Sequence, residues 1–221
     1  MKYAIIGAGG TGGCLGFFLK KAGKDVTLIA RGKHLEAIRK NGLTIQKLWD
    51  ESRETLPVKA CTAEEYKEIP DVILVCVKGY SMDETVPTIK KIAGKETVVI
   101  PILNIYGTGG RLQKNLPELT VTDGCIYVSA NIMEPGVILQ HGKILRVVFG
   151  ARKPEEETEK MREVAKDMVT DDLEVILSEN IRRDAMVKFS YVSPIGAAGL
   201  YCNAVAADFQ REGKQREMFK A

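Results

Sequence analysis

The sequence has few of the features that mark secreted, membrane-spanning or metal-binding proteins. It contains only two histidines, which cannot make a convincing metal site, so none is predicted. Its five cysteines show no CxxC spacing and mostly lie in apolar segments, so we expect buried free thiols. No apolar run reaches the roughly 20 residues that a membrane span requires, and no leader-like segment precedes the first strand. We therefore expect a soluble, cytoplasmic protein with no membrane partner.

An excess of charge of either sign is also missing. Lys and Arg number 32 and Asp and Glu 29, giving a net charge of +3. The basic residues are mixed with acidic ones and form no stripe with interleaved aromatics, so no nucleic-acid partner is predicted. At 221 residues the chain exceeds the usual size of one domain, which allows one full domain and part of another.

A glycine-rich segment lies close to the N-terminus. Residues 3–6 form a short apolar run, residues 7–12 read GAGGTG, a helix-like segment covers 14–22, and a second strand-like run covers 25–29. A strand, a glycine-rich turn and a helix in this order are the arrangement that binds a dinucleotide pyrophosphate at a helix N-terminus. The context favours this interpretation over a glycine-rich turn that binds nothing.

Each glycine of this segment has a predicted physical task. Gly7 permits the tight turn, Gly9 lets the phosphates approach because no Cβ intervenes, and Gly12 lets the helix pack closely on its strand. The predicted cofactor contacts of the turn are Gly7, Ala8, Gly9, Gly10, Thr11 and Gly12.

The end of the second strand indicates which nucleotide is bound. NAD sites usually place an acidic side chain there to accept hydrogen bonds from the ribose 2′-hydroxyl. This chain has Ala30, then Arg31 with Lys33 close behind. A guanidinium can bind a 2′-phosphate bidentately, whereas a carboxylate would repel it. NADP(H) is therefore predicted over NAD(H), with solvated surface charge as the alternative interpretation of Lys33.

Strands and helices alternate through the first hundred residues. The run 72–77 is apolar and rich in β-branched residues, which is typical of a strand in the middle of a helix-covered parallel sheet. A helix is predicted over 81–93, with Ser81 and Glu84 as a capping box, followed by a strand over 97–100. This succession predicts an α/β fold with a Rossmann-type doubly wound sheet.

Beyond residue 115 the pattern changes. Strand-like segments separated by turn residues predict an antiparallel extension of the sheet: 121–130, 137–140 and 144–149. A charged helix and a last strand then lead to residue 177. We predict an NADP(H)-binding Rossmann-type domain at 1–177 and the beginning of an all-helical substrate and dimerisation domain at 178–221.

Two polar side chains follow neighbouring strands of the predicted sheet. Lys78 comes directly after the central strand, and Asn104 follows the next one. Ligands of such sheets bind beyond the carboxyl ends of the strands, so both are candidate site residues. A lysine after a strand is more often a solvated loop residue, and it is the location at this edge that favours a role for Lys78.

The chain carries six recognisable segments in this order: GAGGTG, VTLIARGKHLEAIRKNGL, VCVKGY, NIYG (104–107), EPGVI (134–138) and DAMVKF (184–189). In this order they resemble the motifs of ketopantoate reductases (2-dehydropantoate 2-reductases), and the resemblance covers essentially the whole chain. It implies an NADP-dependent oxidoreductase that reduces a branched 2-keto acid to its 2-hydroxy acid, on the pathway to pantothenate and coenzyme A. The implied partner is the small-molecule 2-keto acid, and a homodimer is left open.

The resemblance also assigns roles by matching position. Lys188 looks like the family's catalytic lysine, and Arg31 like its 2′-phosphate ligand. Asn104 and Lys78 resemble its polar residues on the nicotinamide and substrate sides. Ala130 is a further implied cofactor contact.

The chemistry of ketone reduction supports the assignment of Lys188. Hydride addition leaves charge on the ketone oxygen, so the site needs a cation or acid aimed there. Lys188 lies on a mostly apolar helix, where a lysine either covers apolar surface with its stem or takes part in chemistry.

The chain departs from the family pattern in two respects. Family members often carry asparagines four and eight residues beyond the catalytic lysine, where this chain has Val192 and Gly196. Ser193 is the nearest hydroxyl and is taken as a substrate contact, so the substrate is predicted as a 2-keto acid without choosing which. The family also continues with a helical domain of which 178–221 would be the beginning, so either the chain is partial or the rest of the site comes from elsewhere.

Two other functions remain open on the sequence alone. The chain can be a non-catalytic NADP(H)-binding sensor module, which would keep Gly7, Gly9, Gly12 and Arg31. It can also be a related hydroxyacid or opine dehydrogenase.

Overall fold

Strands and helices alternate along most of the chain. The structure, a computed structural model, describes residues 1–205 and 207–220. Its strands are β1 (Lys2–Ile6), β2 (Asp25–Ile29), β3 (Leu43–Lys47), β4 (Arg53–Leu56), β5 (Lys59–Cys61), β6 (Val72–Val75), β7 (Val98–Pro101), β8 (Thr120–Val121), β9 (Asp123–Tyr127), β10 (Ala130–Glu134), β11 (Val137–Gln140), β12 (Arg146–Gly150) and β13 (Glu174–Leu177). Its α-helices are α1 (Gly10–Lys21), α2 (Gly32–Asn41), α3 (Val86–Ile92), α4 (Thr108–Asn115), α5 (Glu159–Met168), α6 (Ile181–Cys202) and α7 (Lys214–Lys220).

The central sheet has six strands in the order β5-β2-β1-β6-β7-β8. Every neighbouring pair in it is parallel. The order reverses direction at β1, since the chain moves from β1 to β2 on one side and returns to β6 on the other. Such a reversal opens a crevice at the carboxyl ends of the strands, where ligands bind in folds of this class.

Helices cover both faces of the central sheet. Alternate residues of β1 belong to two separate apolar clusters: Tyr3 and Ile5 pack in the cluster that includes Phe17 of α1, whereas Ala4 and Ile6 pack in the other. The second cluster contains side chains of α3 and α4. The sequence-based prediction of a Rossmann-type doubly wound sheet is therefore confirmed, because a strand buried on both faces requires helices on both.

Two smaller sheets account for the antiparallel pattern beyond residue 115. One has the order β10-β11-β3-β4 and joins the β10-β11 hairpin to the early β3-β4 hairpin. The other has the order β13-β12-β9, with β9 antiparallel to β12. The antiparallel strands thus belong to two sheets that are separate from the central parallel sheet.

The predicted capping box at Ser81 and Glu84 is wrong. This segment forms two 3₁₀ turns, Gly79–Ser81 and Asp83–Thr85, and the α-helix begins at Val86 without a side-chain cap. Proline stands at the second residue of this helix. Because proline lacks an N–H and its ring clashes with the carbonyl four residues earlier, it is tolerated only in the first turn, so a regular helix cannot extend back to Ser81.

Beyond residue 177 the described residues form the helices α6 and α7. Ile181, at the start of α6, packs with Cys125 and Val148 of the third sheet. Further along α6 large apolar side chains are exposed, including Tyr191 and Leu200. In the described part of the chain, no helix has the length and apolar character needed to cross a bilayer.

Candidate functional site

The glycine-rich turn joins β1 to α1 at the carboxyl end of the central sheet. Gly7 has φ of +98°, a left-handed conformation that side chains rarely adopt, and its N–H donates to the Ile29 carbonyl of the neighbouring strand at 3.0 Å. A Cβ at Gly12 would lie 1.9 Å from the Gly7 carbonyl oxygen, so α1 can approach the turn this closely only with glycine there. A Cβ at Gly10 would lie 2.3 Å from the Ala130 carbonyl oxygen, which places Ala130 against the start of α1.

Above Gly9 the turn is open. Gly9 is the N-cap residue of α1, and a Cβ built on it meets no atom within 4 Å. The first turn of α1 carries no acidic residue, and no side chain caps it. No acidic side chain of this first turn therefore compensates the positive end of the helix dipole or accepts from the first free N–H groups. This open cradle fits a pyrophosphate, which approaches such a helix end along the glycine backbone.

Arg31 and Lys33 lie beside this turn. Arg31 is the N-cap residue of α2, two residues after the end of β2, and both side chains are exposed. Among the described residues neither forms an ion pair, so their charges are available to a ligand. The strands β1 and β2 pair in register up to Ile6 and Ile29, which brings the residues that follow them to the same edge.

Lys78 and Asn104 lie at the carboxyl edge of the same sheet, beyond the adjacent strands β6 and β7. Both side chains are exposed. The two loops touch, since a Cβ at Gly79 would lie 2.1 Å from Cδ1 of Ile105. The edge that the sequence predicts for both residues is thus where they are found.

Lys188 of α6 reaches this edge from the opposite side. Its Nζ donates a hydrogen bond to Oδ1 of Asn104 at 2.7 Å across 84 residues of sequence. The two side chains share a small pocket with Cys125 and Val192. The structure therefore brings together two of the residues that sequence reasoning singled out.

The environment of Lys188 is unusual for a lysine. Only 9% of the residue is exposed, and it forms no ion pair with any carboxylate of the described residues. Its Nζ lies 5.4 Å from the centre of the Tyr127 ring, a distance compatible with cation–π attraction. Burial lowers the pKa of Lys188 below its ordinary 10.5. A buried ammonium without an anionic partner is costly, and shifted groups of this kind cluster at functional sites.

The residues that follow Lys188 on α6 differ in whether they line its pocket. Val192, one turn further along, lines the Lys188 pocket with an apolar side chain. Ser193 is partly buried and is not one of the residues lining that pocket, and Gly196 is exposed. In the described structure Ser193, the predicted substrate contact, is therefore not among the residues that line the Lys188 pocket.

Sequence reasoning missed two residues that touch the site. Tyr127 stands on β9, and its contact with Lys188 depends on how α6 packs against the third sheet, for which no local pattern exists. For His34 the sequence predicts no metal site and assigns no individual role, and the described residues hold no cluster suited to a metal ion. Its ring instead contacts the glycine-rich turn at Ala8. The available signal was its position, three residues after Arg31 in the first turn of α2.

The comparisons with known proteins agree on one family. Residues 3–154 match the family model described as ketopantoate reductase PanE/ApbA. The chain is 33% identical over 202 residues to the 2-dehydropantoate 2-reductase of Pyrococcus horikoshii, covering 89% of this chain and 64% of that protein. It is 30% identical over 231 residues to the Mesorhizobium japonicum enzyme of the same name, covering 94% and 70%.

A solved structure shows the same similarity. The 2-dehydropantoate 2-reductase from Porphyromonas gingivalis W83 superposes with a TM-score of 0.82 at 31% identity, covering 93% of this chain and 73% of that one. The chain thus spans about two thirds of the length of these relatives.

Proposed function

This chain belongs to the ketopantoate reductase PanE/ApbA family, and from that premise we propose that it takes part in the NADPH-dependent reduction of ketopantoate or a similar 2-keto acid to the 2-hydroxy acid. We further propose that this reaction serves pantothenate and coenzyme A synthesis. Support for a substrate of the keto acid class comes from the buried ammonium of Lys188 at the carboxyl edge of the sheet.

The nucleotide would be held by the glycine-rich turn and the residues beside it. The open space above Gly9 and the uncapped start of α1 suit the pyrophosphate. Arg31 is the proposed 2′-phosphate ligand, because its guanidinium is exposed and unpaired at the end of β2 within the described residues. Lys33 is proposed to add to the same positive field. The preference for NADPH over NADH rests on these two cations.

The bound nicotinamide supplies the hydride, and this chain supplies the groups that hold and polarise the keto acid. Lys188 donates a hydrogen bond to the keto oxygen, and it gives up a proton as negative charge develops on that oxygen. Asn104 orients the ammonium through their 2.7 Å hydrogen bond, and its amide N–H₂ remains free to donate to substrate. Lys78, exposed on the neighbouring loop, is the proposed partner of the substrate carboxylate.

One observation favours an enzyme over a nucleotide sensor. A sensor needs the glycine-rich turn and Arg31. It gains nothing from the Lys188 ammonium, which is buried on α6 without an anionic partner among the described residues. The Lys188–Asn104 hydrogen bond is therefore the feature that carries the proposal.

A product-detecting assay tests it. The protein is mixed with NADPH and, separately, with ketopantoate and a set of linear, branched and aromatic 2-keto acids, and the hydroxy acids are identified by mass spectrometry. We expect stoichiometric NADP⁺ and hydroxy acid with at least one of them. Tight NADPH binding without any product would favour the sensor function.

A further inference from the structure

The ring of His34 bridges two turns that are distant in sequence. Its Nε2 lies 2.8 Å from the carbonyl oxygen of Ala8, inside the glycine-rich turn. Its Nδ1 lies 3.0 Å from the backbone nitrogen of Gly136, in the turn between β10 and β11. The histidine itself stands on α2, so one side chain joins three separate parts of the fold.

These partners fix the tautomer of the ring. The Gly136 N–H can only donate, so Nδ1 must accept and carries no proton. The ring proton therefore lies on Nε2 and is donated to the Ala8 carbonyl. Burial lowers the pKa of His34 below its ordinary 6.5, which is consistent with a neutral ring.

The Ala8 hydrogen bond controls the direction of a neighbouring amide. In a trans peptide the carbonyl of one residue and the N–H of the next point in opposite directions, so fixing the Ala8 carbonyl also fixes the Gly9 N–H. The Gly9 N–H has no acceptor among the described residues, and the space above Gly9 is open. The amide is thus held ready for an external anion.

The Gly136 end of the bridge is itself anchored. Gly136 has φ of +82°, and its carbonyl accepts from the N–H of Thr44 at 2.9 Å. A Cβ there would lie 3.1 Å from the Cβ of Ala37 on α2. The His34 ring is therefore held between the anchored turn at Gly136 and the glycine-rich turn.

We propose that His34 is a positioning residue for the nucleotide: its Nε2–H turns the Ala8–Gly9 peptide so that the Gly9 N–H faces the pyrophosphate. This inference rests on the proposed nucleotide cofactor. His34 need not touch the cofactor, because it acts through the backbone of the turn.

The test compares two substitutions of different chemistry. In His34→Gln the side-chain amide keeps one donor and one acceptor, whereas His34→Leu fills the space and removes both. NADPH affinity is measured by nucleotide fluorescence, and amide hydrogen exchange is measured for peptides covering residues 7–13. We expect His34→Leu to bind NADPH about fivefold or more weakly, with faster exchange in the turn. We expect His34→Gln to stay within about threefold of the unaltered protein.

A matched control separates positioning from general stabilisation of α2. Arg39 also ties α2 to the fold, since its Nε donates to the Ala60 carbonyl at 3.0 Å, but it does not contact the glycine-rich turn. Arg39→Leu should lower the melting temperature without changing NADPH affinity or exchange at 7–13. Equal NADPH binding and equal exchange in His34→Leu and the unaltered protein would overturn the inference, as would failure of His34→Gln to restore either.

The exchange measurement keeps this inference distinct from the proposed function. If the unaltered protein binds no nucleotide, the proposed function fails. The role of His34 in ordering the turn is then judged by hydrogen exchange alone: faster exchange at 7–13 in His34→Leu, but not in His34→Gln, supports it, and unchanged exchange overturns it.

Discussion

At the scale of single residues, Lys188 carries most of the proposed chemistry. Its ammonium is buried, it is oriented by Asn104, and it lies over the face of Tyr127. Interactions with charge that develops on a reacting oxygen stabilise the transition state more than the bound substrate. The loss of Lys188 should therefore affect turnover more than binding.

The first prediction concerns removal of this ammonium. Lys188→Ala should lower kcat for 2-keto acid reduction by roughly 10²–10⁴-fold, the usual effect of a positioned acid, while NADPH affinity stays nearly unchanged. Arg183→Ala, which removes an exposed cation from the same helix, serves as the control and should leave kcat unchanged. Near-normal turnover of Lys188→Ala would mean that this lysine only covers apolar surface.

The pH dependence of turnover gives a second prediction. The protonated ammonium is the active form, and burial lowers the pKa of Lys188 below 10.5. Turnover should therefore be full below that lowered pKa and should fall as the pH rises through it. In Lys188→Arg the guanidinium stays protonated, so the remaining activity should lack this alkaline decline. An identical decline in both proteins would assign the titration to another group.

A third prediction tests the proposed preference for NADPH at Arg31. Arg31→Ala should weaken NADPH binding by about 1.5–3 kcal/mol, the value of hydrogen bonds to a charged group, and should barely change NADH binding. Lys40→Ala, at the other end of α2, is the matched control and should alter neither. Equal losses for the two nucleotides in Arg31→Ala would remove Arg31 from the 2′-phosphate site.

At the scale of elements, two glycines of the glycine-rich turn are expected to matter for different reasons: Gly9 for nucleotide binding and Gly12 for the close packing of α1. A side chain at Gly9 meets open space, whereas a Cβ at Gly12 overlaps the Gly7 carbonyl at 1.9 Å. The two positions lie three residues apart in one motif, yet the structure gives them different surroundings.

A pair of valine substitutions tests this difference. Gly9→Val should abolish binding of both nucleotides and leave the melting temperature nearly unchanged, because its side chain occupies only the approach to the turn. Gly12→Val should destabilise the fold by about 3 kcal/mol or more, since α1 must move away from β1. Thermal unfolding and nucleotide titration of both variants measure this. Retained NADPH binding in Gly9→Val would contradict the assignment of the turn.

The sequence predicted those elements whose signals are local. The apolar run that became β6 and the strand, turn and helix of residues 2–21 were recognised because periodicity and glycine placement act over a few residues. The predicted helix start at Ser81 is wrong because the proline that follows Val86 overrides the local capping pattern. The contact of Tyr127 with Lys188 was beyond prediction, since it depends on packing between β9 and α6.

At the scale of the whole molecule, the fold brings two loops and one helix, distant in sequence, to one edge. The glycine-rich turn follows β1, the Asn104 loop follows β7, and Lys188 comes from α6. The parallel sheet brings the two loops together, because the carboxyl ends of its strands all meet at the same side. The packing of α6 against β9 and β12 adds Lys188. Nucleotide and keto acid can then occupy neighbouring positions, as direct hydride transfer requires.

Transfer of a labelled hydride tests this central claim most directly. The protein is incubated with a reactive 2-keto acid and NADPH deuterated at C4 of the nicotinamide, in each of its two stereochemical forms, and the hydroxy acid is analysed by mass spectrometry. The account predicts deuterium at C2 of the hydroxy acid from one stereoisomer and none from the other. NADPH bound without hydroxy acid formation, or hydroxy acid formed without deuterium from either stereoisomer, would contradict it.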